Sequence, residues 1–129
     1  MAYEIPGFKL TLVCGSGSLS TKQYTFVKMD TDGTAITGSA ITDKMIGILQ
    51  NSPGVGGECE LMVNGVGKVY TTNSMSIGDK VGVHTDGTAI TLGGSETTAN
   101  VYGICLEASG GTGQLATILF SCMQHNLLT

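Results

Sequence analysis

The chain contains no Trp, only two Pro, and few charges, which make up 12% of its 129 residues. Each scarcity removes a class of protein. No run comes near the ~18 consecutive apolar residues that a membrane-spanning helix needs, so no membrane partner is expected. The amino-terminal stretch "MAYEIPGFKLTLVCGSGS" has no basic segment followed by a long apolar one, the layout of a secretion signal. The expectation is a soluble protein made and kept in a cytoplasm. Lys and Arg number six against ten Asp and Glu, for a net charge of −4, and the cations are scattered singly. Without a basic stripe to displace counterions from a phosphate backbone, nucleic acid is not an expected partner. No segment sustains a 3.6-residue apolar period between caps, so little helix is expected.

Motifs that carry chemistry are missing as well. Zinc needs close ligand pairs, whereas the Cys and His residues are dispersed, with Cys122 and His125 the only near neighbours. "DTDG" resembles the start of a calcium loop, but counting from Asp30 the required glycine falls on Ala35 and the required Glu on Ile41. "GSGS" and "GVGGE" lack the following Lys-Ser/Thr of a phosphate loop. His84 and His125 are the candidate imidazole bases, and neither accompanies a nucleophile motif. Glu58 and Glu60, two apart on one expected strand, share a face that suggests solvent rather than acid–base work. The expectation is no enzyme, with no catalytic, cofactor-binding or metal-binding residues and no cofactor.

What the chain does have is glycine, 20 residues of it, together with many β-branched residues. The heptad "TDGTAIT" occurs twice, at 31–37 and 85–91, each time after a short apolar segment. Asp-Gly favours the positive φ of a tight hairpin loop, so "TDGTAIT" reads as a hairpin tip with its outgoing strand. Around it, "VKMDTDGTAIT" aligns with "VGVHTDGTAIT" at eight of eleven positions. "IGILQNSPGVGGECELMV" aligns more weakly with "YGICLEASGGTGQLATIL", at four of eighteen, and "SLS" corresponds to "SMS". The expected architecture is all-β: a small single-domain β-barrel or sandwich built from two pseudo-repeated halves, with equivalent strands pairing across them. Residues 1–18 form an amino-terminal lead and hinge, and 19–129 a duplicated β domain with units of about 19–72 and 73–122.

Cys14, Cys59, Cys105 and Cys122 permit three pairings in a secreted domain. With no secretion signal, reduced thiols are expected. The alignment sets Cys105 against Leu49 and Cys59 against Leu115, and Cys122 follows an apolar strand, so these three stand where small hydrophobes stand. Cys14 has no such explanation.

The order of phrases, from "IPGFKLTLV" through "GILQNSPGVGGECELMVNGVGKV" and "SIGDKVGVHTDG" to "VYGICLEASGGTGQLATILF", resembles the capsid cement, or head decoration, proteins of tailed bacteriophages. That resemblance covers roughly residues 5–122. It implies a small β-rich protein, made in the host cytoplasm, that binds the outer surface of the assembled capsid in the virion. Its partners are then the major capsid protein, whose subunits it bridges, and itself as a homotrimer. A carbohydrate- or small-ligand-binding β module is the alternative, and the lack of Trp with only four Tyr and three Phe weighs against it.

The lead lies outside the repeat and is available for contact. In "AYEIPGFKLTLV", Phe8, Leu10 and Leu12 alternate with Lys9 and Thr11 as a strand with one apolar face, interrupted before it by Pro6-Gly7. Two readings stand open: 8–13 is the first strand of the core, or it is an arm on a "GSGS" hinge. Either way Tyr3, Ile5, Phe8, Leu10 and Leu12 are the candidate capsid or subunit contacts.

Overall fold

Short segments with β-branched and apolar residues between glycine turns become nine strands in the computed structural model, which describes residues 5–15, 17–30, 33–93 and 100–126. In chain order they are β1 (Ile5–Cys14), β2 (Phe26–Met29), β3 (Thr34–Thr37), β4 (Met45–Leu49), β5 (Glu58–Tyr70), β6 (Lys80–Val83), β7 (Ala89–Thr91), β8 (Asn100–Glu107) and β9 (Leu115–Asn126). The chain is all-β, as the sequence predicts, with one 3-10 turn, Thr85–Gly87, among the described residues.

Strand order is β1-β3-β2-β4-β5-β9-β8-β6-β7, and β1 also pairs with β5. The extra pairing closes β1, β3, β2, β4 and the first half of β5 into a ring. The second half of β5 runs antiparallel to β9 from Asn64↔Ser121 to Tyr70↔Leu115. Just past its end, Thr71 bridges to Ala89 at the start of β7. β5 is thus the last strand of one ring and the first of the next.

The hydrogen bonds of the first half recur in the second. Leu49 N–H donates to Thr25 O and Cys105 N–H to Asp79 O, both at 2.9 Å, while Tyr24 N–H to Leu49 O matches Gly78 N–H to Cys105 O at 2.8 Å. The β2–β3 register Val27↔Thr37 reappears as Val81↔Thr91 in β6–β7. At the second hairpin tip both residues of Asp86-Gly87 have positive φ, 61° and 74°. At the first tip Gly33 has φ 75°, and residues 31–32 lie outside those described. One sequence alignment shifts: Cys14 N–H bonds Gly57 O where Thr71 N–H bonds Gln114 O. Counted from those bonds, Cys59 corresponds to buried Ala116 rather than to Leu115.

Consecutive strand residues point to opposite faces, and in the middle of the molecule both faces are buried. Phe26, Ile48 and Met62 enter a larger core with Val69, Val81, Tyr102, Ile118 and Phe120. Their chain neighbours Val27, Leu49 and Leu61 enter a smaller core with Cys14, Leu19, Ala35 and Cys59. Strands β2, β4 and β5 therefore form a partition between two apolar layers, which is why "FV", "IL" and "LM" carry no polar alternate.

Three rings fill the larger core, with Phe26–Phe120, Phe26–Tyr102 and Tyr102–Phe120 centroids 5.7, 6.1 and 6.2 Å apart. A buried phenol needs a partner, and the Tyr102 hydroxyl has two. It donates to Asp43 O at 2.6 Å and accepts from Met45 N–H at 2.7 Å. Asn100 holds the same loop through its side-chain amide on Thr42 O and Asp43 O.

Gly47 and Gly103 occupy corresponding places where two strand backbones meet. A Cβ on Gly47 would lie 2.9 Å from Met62 O, and one on Gly103 would overlap Leu119 O. Backbone cannot step aside as a side-chain tip can. Gly103→Ala should lower unfolding stability by roughly 2–4 kcal/mol, whereas Gly54→Ala, with open space around it, should change it by less than about 1 kcal/mol. Urea titrations of the two variants check the contrast.

Candidate protein-contact surface

The predicted contact residues fall on β1, apart from Tyr3, which lies outside the described residues. β1 is one strand from Ile5, laid antiparallel along β5 from Ile5↔Val66 to Val13↔Glu58 with irregularities on both sides of Phe8. Phe8 N–H donates to Asn64 Oδ1 at 2.9 Å, and Gly15 N–H donates to Ala35 O at 2.8 Å. The strand is thus built into the first ring rather than held off on a hinge. Along it, Ile5 and Phe8 are 63% and 64% exposed, Leu10 is at 37%, and Leu12 packs against the smaller core. On its outer side β1 meets β3 only at Val13 and Cys14. From Ile5 to Leu12 that edge pairs with no described strand.

A second feature joins Ile5 from strands the sequence reading did not single out. Val66 faces Ile5 across β1–β5 and Leu119 across β5–β9. Leu119 in turn faces Ile104 across β8–β9, and Ile104 faces Lys80 of β6. Directly opposed residues share a sheet face, so Ile104, Leu119, Val66 and Ile5 make a continuous apolar row across four strands, about 14 Å long at ordinary strand spacing. Ile104 and Leu119 are 45% and 49% exposed. Polar rows flank it: Lys68 opposite Thr117 opposite Glu107 on one side, Asn64 opposite Ser121 on the other.

Other surface features are engaged locally. Tyr24 and Tyr70 lie 6.5 Å apart at 52°, and the Lys68 ammonium sits 4.7 Å over the Tyr24 ring, covering one face that a sugar would stack on. His84 pairs through Nδ1 with Thr85 of its own turn at 3.2 Å. An open depression of about 640 Å³ is lined by Lys28, Met29, Thr42, Asp43, Lys44, Met45 and Ile46. Within it Lys28 Nζ is 3.1 Å from Asp43 Oδ2, the same oxygen that accepts the N–H groups of Ser39 and Ala40. Burial alone would raise the Asp43 pKa. The Ser39 N–H, the Lys28 ammonium and the Ala40 N–H outweigh it and hold the carboxyl below its usual range.

No protein-family model matches the sequence, and no curated protein matches it. Among solved structures, the chain is similar to the N base of head fiber gp8.5 in bacteriophage phi29. The TM-score is 0.63 at 17% identity, and the match covers 92% of this chain and 98% of that one. The two share a fold along nearly their whole lengths.

Two outcomes follow. A carboxyl with a depressed folded pKa stabilises above its unfolded value of about 3.9 and loses that contribution as pH falls through the folded value. Asp43→Asn should cost about 1 kcal/mol at pH 7 and flatten the acid limb of a stability–pH curve below pH ~4. On β9, Leu119→Thr should change stability by less than about 1 kcal/mol because the side chain is already half in water. Its buried neighbour, in Ile118→Thr, should cost roughly 2–4 kcal/mol.

Proposed function

We propose that this chain is a capsid cement protein, one that binds the outer surface of an assembled phage head and stabilises it by bridging subunits of the major capsid protein. The observation that carries the reading is the fold shared, nearly end to end, with the base of a phage head fiber. That base is by its description part of a head structure. The surface here suits a role of the same kind. A cement protein needs no reaction, only a stiff scaffold and an apolar surface able to mate with a repeating lattice. The row from Ile104 to Ile5, ending at the edge of β1 that pairs with no described strand from Ile5 to Leu12, offers both side-chain contact and strand-edge main-chain groups.

Affinity in this role comes from multiplicity. A homotrimer presents three such surfaces to a shell whose subunits repeat, and each contact after the first is made at high effective concentration. Modest individual contacts of four or five exposed apolar side chains then suffice. The virion exterior is accordingly where the protein works.

Co-sedimentation with purified heads tests the function, and light scattering tests the trimer. Removing residues 1–7 takes Ile5 from the row but leaves Phe8–Val13 paired with β5. That variant should remain folded and bind heads at least tenfold more weakly. Removing 1–14 opens the first ring and should unfold it. Full-strength head binding by the shorter deletion would refute the contact, and failure of the intact protein to sediment with any head that carries it would refute the function.

A further inference from the structure

Cys14, the cysteine that the repeat leaves unexplained, lies beside Cys59. Leu12 and Cys59 are direct cross-strand partners, and Cys14, two residues beyond Leu12 on the same strand, points to the same face. Its backbone is fixed there by Cys14 N–H to Gly57 O at 2.7 Å and Gly56 N–H to Cys14 O at 3.1 Å. Both side chains enter the smaller core, at 2% and 0% exposure, and both are free thiols. The Cys14 thiol donates to Gly17 O at 3.2 Å, and Cys14 and Cys59 pack in the same small cluster of buried side chains. Cys105 sits apart, its thiol donating to Glu107 O at 3.3 Å in the larger core.

We infer that Cys14 and Cys59 are a dithiol poised to oxidise to an intrachain disulfide, stapling β1 to β5 once the protein leaves a reducing compartment. With hydrogen peroxide as oxidant, the Cys14 sulfur takes up one oxygen to give a sulfenic acid and releases water. The Cys59 sulfur then attacks the Cys14 sulfur, forming the S–S bond and expelling the hydroxyl, which leaves as a second water with the Cys59 proton. Two thiols and one peroxide become one disulfide and two waters. Cys14 takes the first step because it stands at the end of its strand, next to the exposed turn at Gly17. Burial, with Cys14 alongside, pushes the Cys59 pKa up to about 11, so the closing step is slow at neutral pH and quickens as pH rises. The closed link ties the amino-terminal strand, held on its other side among the described residues by the short β3 pairing, into the first ring.

The test is to treat the native full-length protein with hydrogen peroxide at pH 7 and pH 9, block remaining thiols under denaturing conditions, and map the peptides. The expected product is a monomer lighter by two hydrogens, with the Cys14 and Cys59 peptides linked and Cys105 still alkylated. It should form faster at pH 9 and melt roughly 5–10 °C higher than the reduced protein. Cys59→Ser should leave Cys14 to oxidise further with no link formed. Recovery of Cys14 and Cys59 both alkylated, of Cys14 as sulfinic or sulfonic acid beside an intact Cys59 thiol, or of any other cysteine pair would overturn the inference. The peptide map on the unmodified sequence decides the matter even if the serine variant fails to fold.

Discussion

Everything in this molecule depends on β5 being buried on both faces at once. Leu61 and Met62 are adjacent in sequence and completely buried, one in each core. Adjacent strand residues diverge to opposite faces, so both apolar layers must be present for both residues to leave water. The first half alone would keep the smaller core but lose most of the larger one, exposing Phe26, Ile48 and Met62. At ~1.5–3 kcal/mol for each large side chain, such exposure would consume much of a small domain's stability. The two rings are thus one cooperative body.

The same constraint produces the contact surface. Because the interior sides of β5, β8 and β9 are committed to the larger core, apolar residues at the alternate positions Val66, Ile104 and Leu119 have nowhere to go but outward. They align because the registers of β1, β5, β9 and β8 bring them into one row. An exposed apolar row ending at a free strand edge is a liability in a monomer. On a protein that works bound to a shell it becomes the means of attachment, which is how the proposed function and the fold support each other without any catalytic group.

The parts of this fold legible in the sequence are those fixed by local chemistry. Asp-Gly marked the hairpin tips, and the positive φ at Asp86 and Gly87 is the reason. Gly47 and Gly103 could be matched because both sit where a Cβ would meet backbone. Less legible was the full length of β5, whose run through Gly65 and Gly67 looks like a turn. Gly65 has φ 122°, which side-chain-bearing residues rarely adopt, and at Gly67 the Met62 side chain occupies the space a Cβ would need. The apolar row was hidden for a different reason. "ILF" and "YGIC" are apolar at successive positions, so nothing in them says which residues face water until the strand registers are known. The same holds for Cys14 beside Cys59, a neighbourhood created by the β1–β5 pairing alone.

The central claim is that the face spanning β1, β5, β9 and β8 is the one applied to the head. Hydrogen exchange of the protein free and bound to heads tests it most directly. The account predicts new protection at those amides between Ile5 and Leu12 that point away from β5, along the edge of β1 that pairs with no described strand, together with slowed exchange near Leu119 and Ile104. Protection confined to the far side of the molecule, around the Asp86-Gly87 tip and β6–β7, with β1 unchanged, would contradict it.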